Sequence, residues 1–138
     1  MKKQILFLCT HNSCRSQMAE ARANHFLNDQ VHAYSAGTEA TRVNPLAAKV
    51  LTELGIDTTH LRSKTMDEFA GQTFDHVVTL CGDANEKCPL FFGGVQRIHR
   101  GFEDPSRLSG SADVVLPEFR RVRDEIKNWI MNYFGGTP

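Results

Sequence analysis

Three groups of residues in this sequence are of types that do chemistry. The first is Cys9-Thr10-His11-Asn12-Ser13-Cys14-Arg15-Ser16, which follows an apolar run and leads into a helical pattern. Loop N–H groups and a helix N-terminus meeting at such a junction make a site for a tetrahedral oxyanion. The same positive end favours the thiolate of a cysteine beside it, and the thiolate is the nucleophile. Arg15 adds a planar fork that holds two anion oxygens at once. Ser16 is placed to hydrogen-bond the sulfur and to cap the helix. Asn12 tolerates the left-handed backbone of a tight loop. Cys14 reads as a small buried residue without a chemical role of its own.

The second group is Cys81 and Cys88, within Val77 through Pro89. They stand seven positions apart, against the two to four of a zinc knuckle. No second closely spaced Cys/His pair completes four ligands, so no metal is expected. If Gly82–Lys87 is a short helix, a rise of about 1.5 Å per residue holds the two cysteines roughly 10 Å apart. A disulfide spans only roughly 4.4–6.8 Å between Cα atoms, so bonding them requires local unwinding. Gly82 eases that unwinding, and Pro89 blocks helix extension past Cys88. The segment reads as a redox switch. The third group is Asp104-Pro105, which taken alone is an ordinary turn signal.

Alternating strands and helices must position these groups. Apolar, β-rich runs at Gln4–Leu8, Val31–Ser35, His76–Leu80 and Val95–His99 predict four strands. Ala19, Ala23, Phe26 and Leu27 give Gln17–Leu27 a helical stripe. Asn44-Pro45 opens a second helix, with Leu46, Val50, Leu51 and Leu54 as its apolar face and Gly55 as its stop. A last helix is expected from near Pro117, its inner face being Phe119, Val122, Ile126, Trp129, Ile130 and Phe134. The pattern predicts one α/β domain over residues 1–138: a four-stranded parallel sheet flanked by helices on both faces. Ligands of such sheets bind beyond the carboxyl ends of the strands. Those ends precede Cys9, Cys81 and the Asp104 loop.

Composition sets the outer limits. Lys+Arg and Asp+Glu both number 16, for a formal charge of zero. That argues against nucleic acid as the main partner, since phosphate-backbone binding draws on excess basic residues. The N-terminal apolar run, Ile5–Leu8, is too short for a signal peptide, and no window approaches the ~18 apolar residues of a membrane span. A cytoplasmic protein is expected, without membrane or nucleic-acid partners and as a monomer. Cysteines in a reducing compartment are more often reagents than staples.

Cys9-x5-Arg15-Ser16 on the first strand of an α/β domain resembles the low-molecular-weight protein tyrosine phosphatase fold. With Cys81 and Cys88 added, the chain looks like the thioredoxin-coupled arsenate reductases, a branch of that fold. The likeness extends through Tyr34-Ser35-Ala36-Gly37, Gly101-Phe102-Glu103-Asp104-Pro105 and Phe119 through Ile126. It implies Cys9 as nucleophile, residues 10–16 as the oxyanion cradle, Asp104 as general acid and no cofactor. It also implies a relay in which a Cys9–Cys81 disulfide gives way to a Cys81–Cys88 disulfide that thioredoxin reduces. Ser106-Arg107-Leu108-Ser109-Gly110 follows the Asp-Pro where the phosphatases carry aromatic residues, so a small bare oxyanion fits better than an aryl phosphate. Two rivals use the same residues: a phosphatase whose extra cysteines protect Cys9, and an oxyanion-binding redox sensor.

Some reductases of that family bind potassium beside the anion loop through residues matching Asn12, Glu20, Ser35 and an acid after a Thr-Ser pair. Here Arg62-Ser63-Lys64 occupies that stretch. An ammonium in place of the acid supplies the cation's charge, so no potassium requirement is expected. Arg100 stands where relatives often carry Trp, and Ser106–Leu116 reads as a long loop.

Overall fold

The central strand explains the rest of the architecture. Ile5 to Leu8 are all fully buried, as an interior parallel strand covered on both faces demands. Alternation sends Ile5 and Phe7 into one core cluster and Leu6 and Leu8 into another. A computed structural model describes residues 2–81, 91 and 93–135. Its strands are β1 (Lys3–Leu8), β2 (Val31–Ala36), β3 (Phe74–Thr79) and β4 (Gly94–His99), all parallel in the order β2-β1-β3-β4. Each lies within two residues of its expected position.

Three α-helices fill the larger cluster: α1 (Arg15–Phe26), α2 (Pro45–Thr52) and α3 (Ala112–Phe134). Helical structure lies on both faces, but unevenly. The second face carries a 3₁₀ turn at Met66–Phe69 that packs Met66 and Phe69 against Leu6, Leu8 and Val77. α2 begins as its sequence predicts. Asn44 Oδ1 accepts from Leu46 N at 2.8 Å and Ala47 N at 3.3 Å, and Pro45 holds the first helical position. Its exit is a Schellman turn: Gly55 N donates to Thr52 O, Ile56 N donates to Leu51 O, and Gly55 takes φ +78°. Leu51 and Ile56 bury together beneath that turn.

The last helix departs from expectation. α3 starts at Ala112 and carries Pro117 inside it. Pro117 removes the donor that would reach the Asp113 carbonyl, but Asp113 and Pro117 are both exposed, so that carbonyl is open to solvent. The early start also shortens the predicted 106–116 loop, since Pro105–Arg107 forms a 3₁₀ turn before it. The inner face is otherwise as read: Phe119, Val122, Ile126 and Ile130 are buried, and Trp129 and Phe134 pack at its margin. The segment 82–90, with Cys88 and the expected helix at Gly82–Lys87, lies outside the described residues. Among the described residues no helix is long and apolar enough to cross a membrane.

Candidate active site

The register of the sheet delivers the chemistry to one edge. Leu8 pairs with Ala36 on one side and Thr79 on the other. The Leu80 N–H donates to Leu8 O at 2.9 Å, carrying the alignment one step further. Cys9 and Cys81 therefore leave neighbouring parallel strands at the same end, and both are buried. The Phe102 N–H in turn donates to Leu80 O at 3.1 Å, bringing the Asp104 segment to that edge.

The loop after β1 is shaped from outside. Thr10 O accepts from Glu39 N at 3.1 Å and from Thr38 Oγ1 at 3.1 Å. His11 O accepts from Ser63 Oγ at 3.0 Å, Asn12 O from Gln17 Nε2 at 3.0 Å and Ser13 O from Asn44 N at 2.9 Å. In a planar trans peptide the carbonyl and the following N–H point in opposite directions, and no peptide bond here is cis. Carbonyls drawn outward thus turn the N–H groups of residues 11–14 inward, toward the pocket lined by Cys9, His11, Ser13, Cys14, Arg15, Asp104 and Ser106. Asn12 takes φ +48°, the left-handed conformation expected of it. Gly37 closes the back of the loop. A Cβ there would meet the carbonyl oxygens of Thr10 and Cys9 at 2.6 and 2.7 Å.

Asn12 and Ser16 sit behind Cys9, not in front of it. Asn12 Oδ1 accepts from the Lys64 backbone N–H at 2.9 Å, which fixes the amide's orientation. Its Nδ2 then donates to Ser16 Oγ at 2.7 Å, and Ser16 Oγ lies 2.8 Å from Cys9 Sγ. Toward a Cys9 thiolate, which can only accept, the Ser16 hydroxyl donates its proton. This corrects one expectation: Ser16 does not cap α1. The N-cap is Cys14, without a side-chain bond, because Ser16 is held inside the first turn by Asn12 and Cys9. Burial, the Asp104 carboxylate and Cys9 push the Cys14 thiol well above the usual cysteine range, against the pull of Arg15. Cys14 is accordingly a neutral core residue.

Arg15 is nearly fully buried. Its Nη1 donates to Leu80 O and Phe102 O at 3.2 Å each, tying β3 to the acidic loop. Its Nη2 lies 3.6 Å from Asp104 Oδ2. Of the two acids in this loop, Glu103 is held by Arg121 of α3 at 2.9 Å, while Asp104 faces the pocket. Arg100 places its guanidinium 4.3 Å over the Phe102 ring. At the pocket mouth the His11 ring pairs with exposed Glu39 at 3.4 Å.

Lys64 lies behind the loop with the residues that the sequence associates with a cation. Its Nζ is 3.0 Å from Arg62 O, 3.5 Å from Ser35 Oγ and 3.6 Å from Glu20 Oε1. Ser35 Oγ donates to the same Glu20 oxygen at 2.7 Å. Burial lowers the Lys64 pKa from the usual lysine value, with Glu20 opposing.

Sequence reasoning missed Gln17. It is fully buried, and its Nε2 reaches Asn12 O, Asn12 Oδ1 and Arg62 O at 2.8–3.0 Å. A polar residue one step beyond the loop was the available signal.

The chain is similar to known proteins along nearly its whole length. It is 48% identical over 132 residues to an arsenate reductase of Halalkalibacterium halodurans, covering 96% of this chain and 95% of that relative. A solved arsenate reductase in its phosphate-binding state superposes with a TM-score of 0.81 at 32% identity, covering 98% of each chain. A thioredoxin-dependent arsenate reductase of Corynebacterium glutamicum matches at 27% identity with a TM-score of 0.61, over 95% of this chain and 63% of that one. The family model for low molecular weight phosphotyrosine protein phosphatase matches residues 4–135. From β1 to the last turns of α3, this chain belongs to the low molecular weight phosphotyrosine protein phosphatase family.

Proposed function

We propose that this protein is a cytoplasmic, monomeric arsenate reductase that works by a cysteine relay recharged by thioredoxin. The observation that carries the reading is the shared sheet edge of Cys9 and Cys81, closed by Arg15 and Asp104. The similarity to arsenate reductases supports the substrate, and the thioredoxin-dependent neighbour supports the donor.

Arsenate is held by the inward N–H groups of the loop, Thr10 to Ser16, and by Arg15. The Cys9 thiolate forms a bond to arsenic, and an arsenic–oxygen bond breaks. The departing oxygen takes a proton from Asp104 and leaves as water, with no change in oxidation state. The Cys81 thiolate then attacks the Cys9 sulfur. A disulfide forms, the sulfur–arsenic bond breaks, and its electron pair stays on arsenic, which leaves as arsenite. Cys88 attacks Cys81 and frees Cys9, and thioredoxin reduces the Cys81–Cys88 disulfide by exchange. Lys64 supplies the positive charge behind the loop, so no metal takes part.

Phosphate shares the shape and charge of arsenate, so slow aryl phosphate hydrolysis accompanies the main reaction. The deciding experiment is NADPH consumption with thioredoxin and its reductase. Consumption that depends on arsenate and yields arsenite supports the proposal. Aryl phosphate hydrolysis without arsenate-dependent consumption refutes it in favour of a phosphatase. Peroxide-driven disulfide formation without arsenite refutes it in favour of a sensor.

A further inference from the structure

Asp104 is a general acid only if its proton sits on the oxygen that faces the substrate, and the pocket contains a device that decides this. Asp104 Oδ1 accepts two hydrogen bonds from one residue: the Ser106 N–H at 3.0 Å and the Ser106 hydroxyl at 2.6 Å. While both groups donate to it, that oxygen has no place for a proton. Oδ2 is the oxygen on the Arg15 side, 3.6 Å from Nη2. Pro105 is buried between the two residues, and Arg121 holds Glu103 on the other side. The carboxyl plane is thus set, and Ser106 itself lines the pocket with Cys9 and Arg15.

We infer that Ser106 is a positioning residue for the acid: it confines the proton of Asp104 to Oδ2, facing the departing oxygen. The inference rests on the reading of Asp104 as general acid. When the Cys9 sulfur bonds to arsenic or phosphorus, the bond to the leaving oxygen breaks, and that oxygen takes the Oδ2 proton together with the bonding pair. Nothing is oxidised or reduced in this step. Without the Ser106 hydroxyl, Oδ1 keeps only the Ser106 N–H as donor, and the proton is shared between productive and unproductive oxygens.

The test compares the wild type with Ser106→Ala, Ser106→Thr, Asp104→Asn and the Ser106→Ala/Asp104→Asn double variant. Each is assayed on p-nitrophenyl phosphate, whose leaving group needs little protonation, and on phenyl phosphate, whose leaving group needs much. Ser106→Ala is expected to lose about tenfold more rate on phenyl phosphate than on p-nitrophenyl phosphate, the size of one lost hydrogen bond. Ser106→Thr restores the rate. In the Asp104→Asn background the second substitution costs nothing further, because a residue acting only through Asp104 has nothing left to position. If wild-type hydrolysis is too slow to follow, the same cycle is read from arsenate-dependent thiol loss, with the non-additivity as the signature. Equal losses on both substrates, or a full second penalty in the double variant, overturn the inference while leaving the acid in place. An Asp104→Asn protein indifferent to the leaving group overturns the acid assignment and the inference with it.

Discussion

The Lys64 ammonium lies 3.6 Å from the Glu20 carboxylate, and both side chains are about nine-tenths buried. A charge so placed has been taken out of water and depends on its partner. Removing Lys64 strands Glu20, so Lys64→Ala is expected to lose about 3 kcal/mol, on the order of 10 °C in Tm. The wild type should show the same Tm and kcat/KM in sodium and in potassium at equal ionic strength. A clear gain in potassium would show that the ammonium does not serve as the site's cation.

Ser16 tests the hydrogen bond at Cys9, the proposed nucleophile. Its hydroxyl lies 2.8 Å from Cys9 Sγ and is oriented by Asn12. Ser16→Ala is expected to lower kcat about tenfold to a hundredfold, as loss of a bond to a charged group does. The helix start should survive, because Cys14 and not Ser16 is the N-cap. Thermal melts and circular dichroism within a few degrees of wild type, alongside the rate loss, check both halves.

Cys88 tests the relay. Cys88→Ser should release at most one arsenite per protein with thioredoxin present, because Cys9 stays locked in its disulfide with Cys81. Arsenite counted against enzyme concentration gives the result directly. Sustained turnover by this variant would be incompatible with the three-cysteine sequence.

His76 on β3 predicts an acid-sensitive fold. Its ring packs against Tyr133 and Phe134 at the end of α3, and its Nδ1 is buried with no partner among the described residues. Burial first, and then Lys3, hold His76 below the usual histidine value, with Asp75 opposing. The unfolded chain takes up this proton near pH 6.5, and the folded chain only at lower pH. Between those points the unfolded state binds more protons, so stability falls as pH falls below about 6.5. Urea denaturation across that window should show the decline, and His76→Gln should flatten it.

Local chemistry made much of this legible beforehand. Asn44-Pro45 and Gly55 marked both ends of α2 because a cap and a left-handed turn depend on the residues themselves. The Ile5–Leu8 run marked the central strand, and Cys9–Ser16 marked the loop. Pro117 misled because a proline is read as a helix start, whereas exposed backbone tolerates the missing donor. Ser106 and the Arg121–Glu103 pair were invisible for another reason. Their partners lie on other elements or depend on which carboxylate oxygen faces the pocket, and no spacing encodes that.

The outward carbonyls and Gly37 carry a consequence for evolution and engineering. The eight-residue loop is not held by its internal bonds alone; Thr38, Glu39, Ser63, Gln17 and Asn44 hold its carbonyls from outside. It is therefore not a portable cassette. Grafted onto another βα junction without Gly37, Gln17, Asn44 and Ser63, the same eight residues would collapse inward and satisfy their own amides. A lineage that keeps those four supports can exchange the walls around the loop while the loop's backbone stays intact.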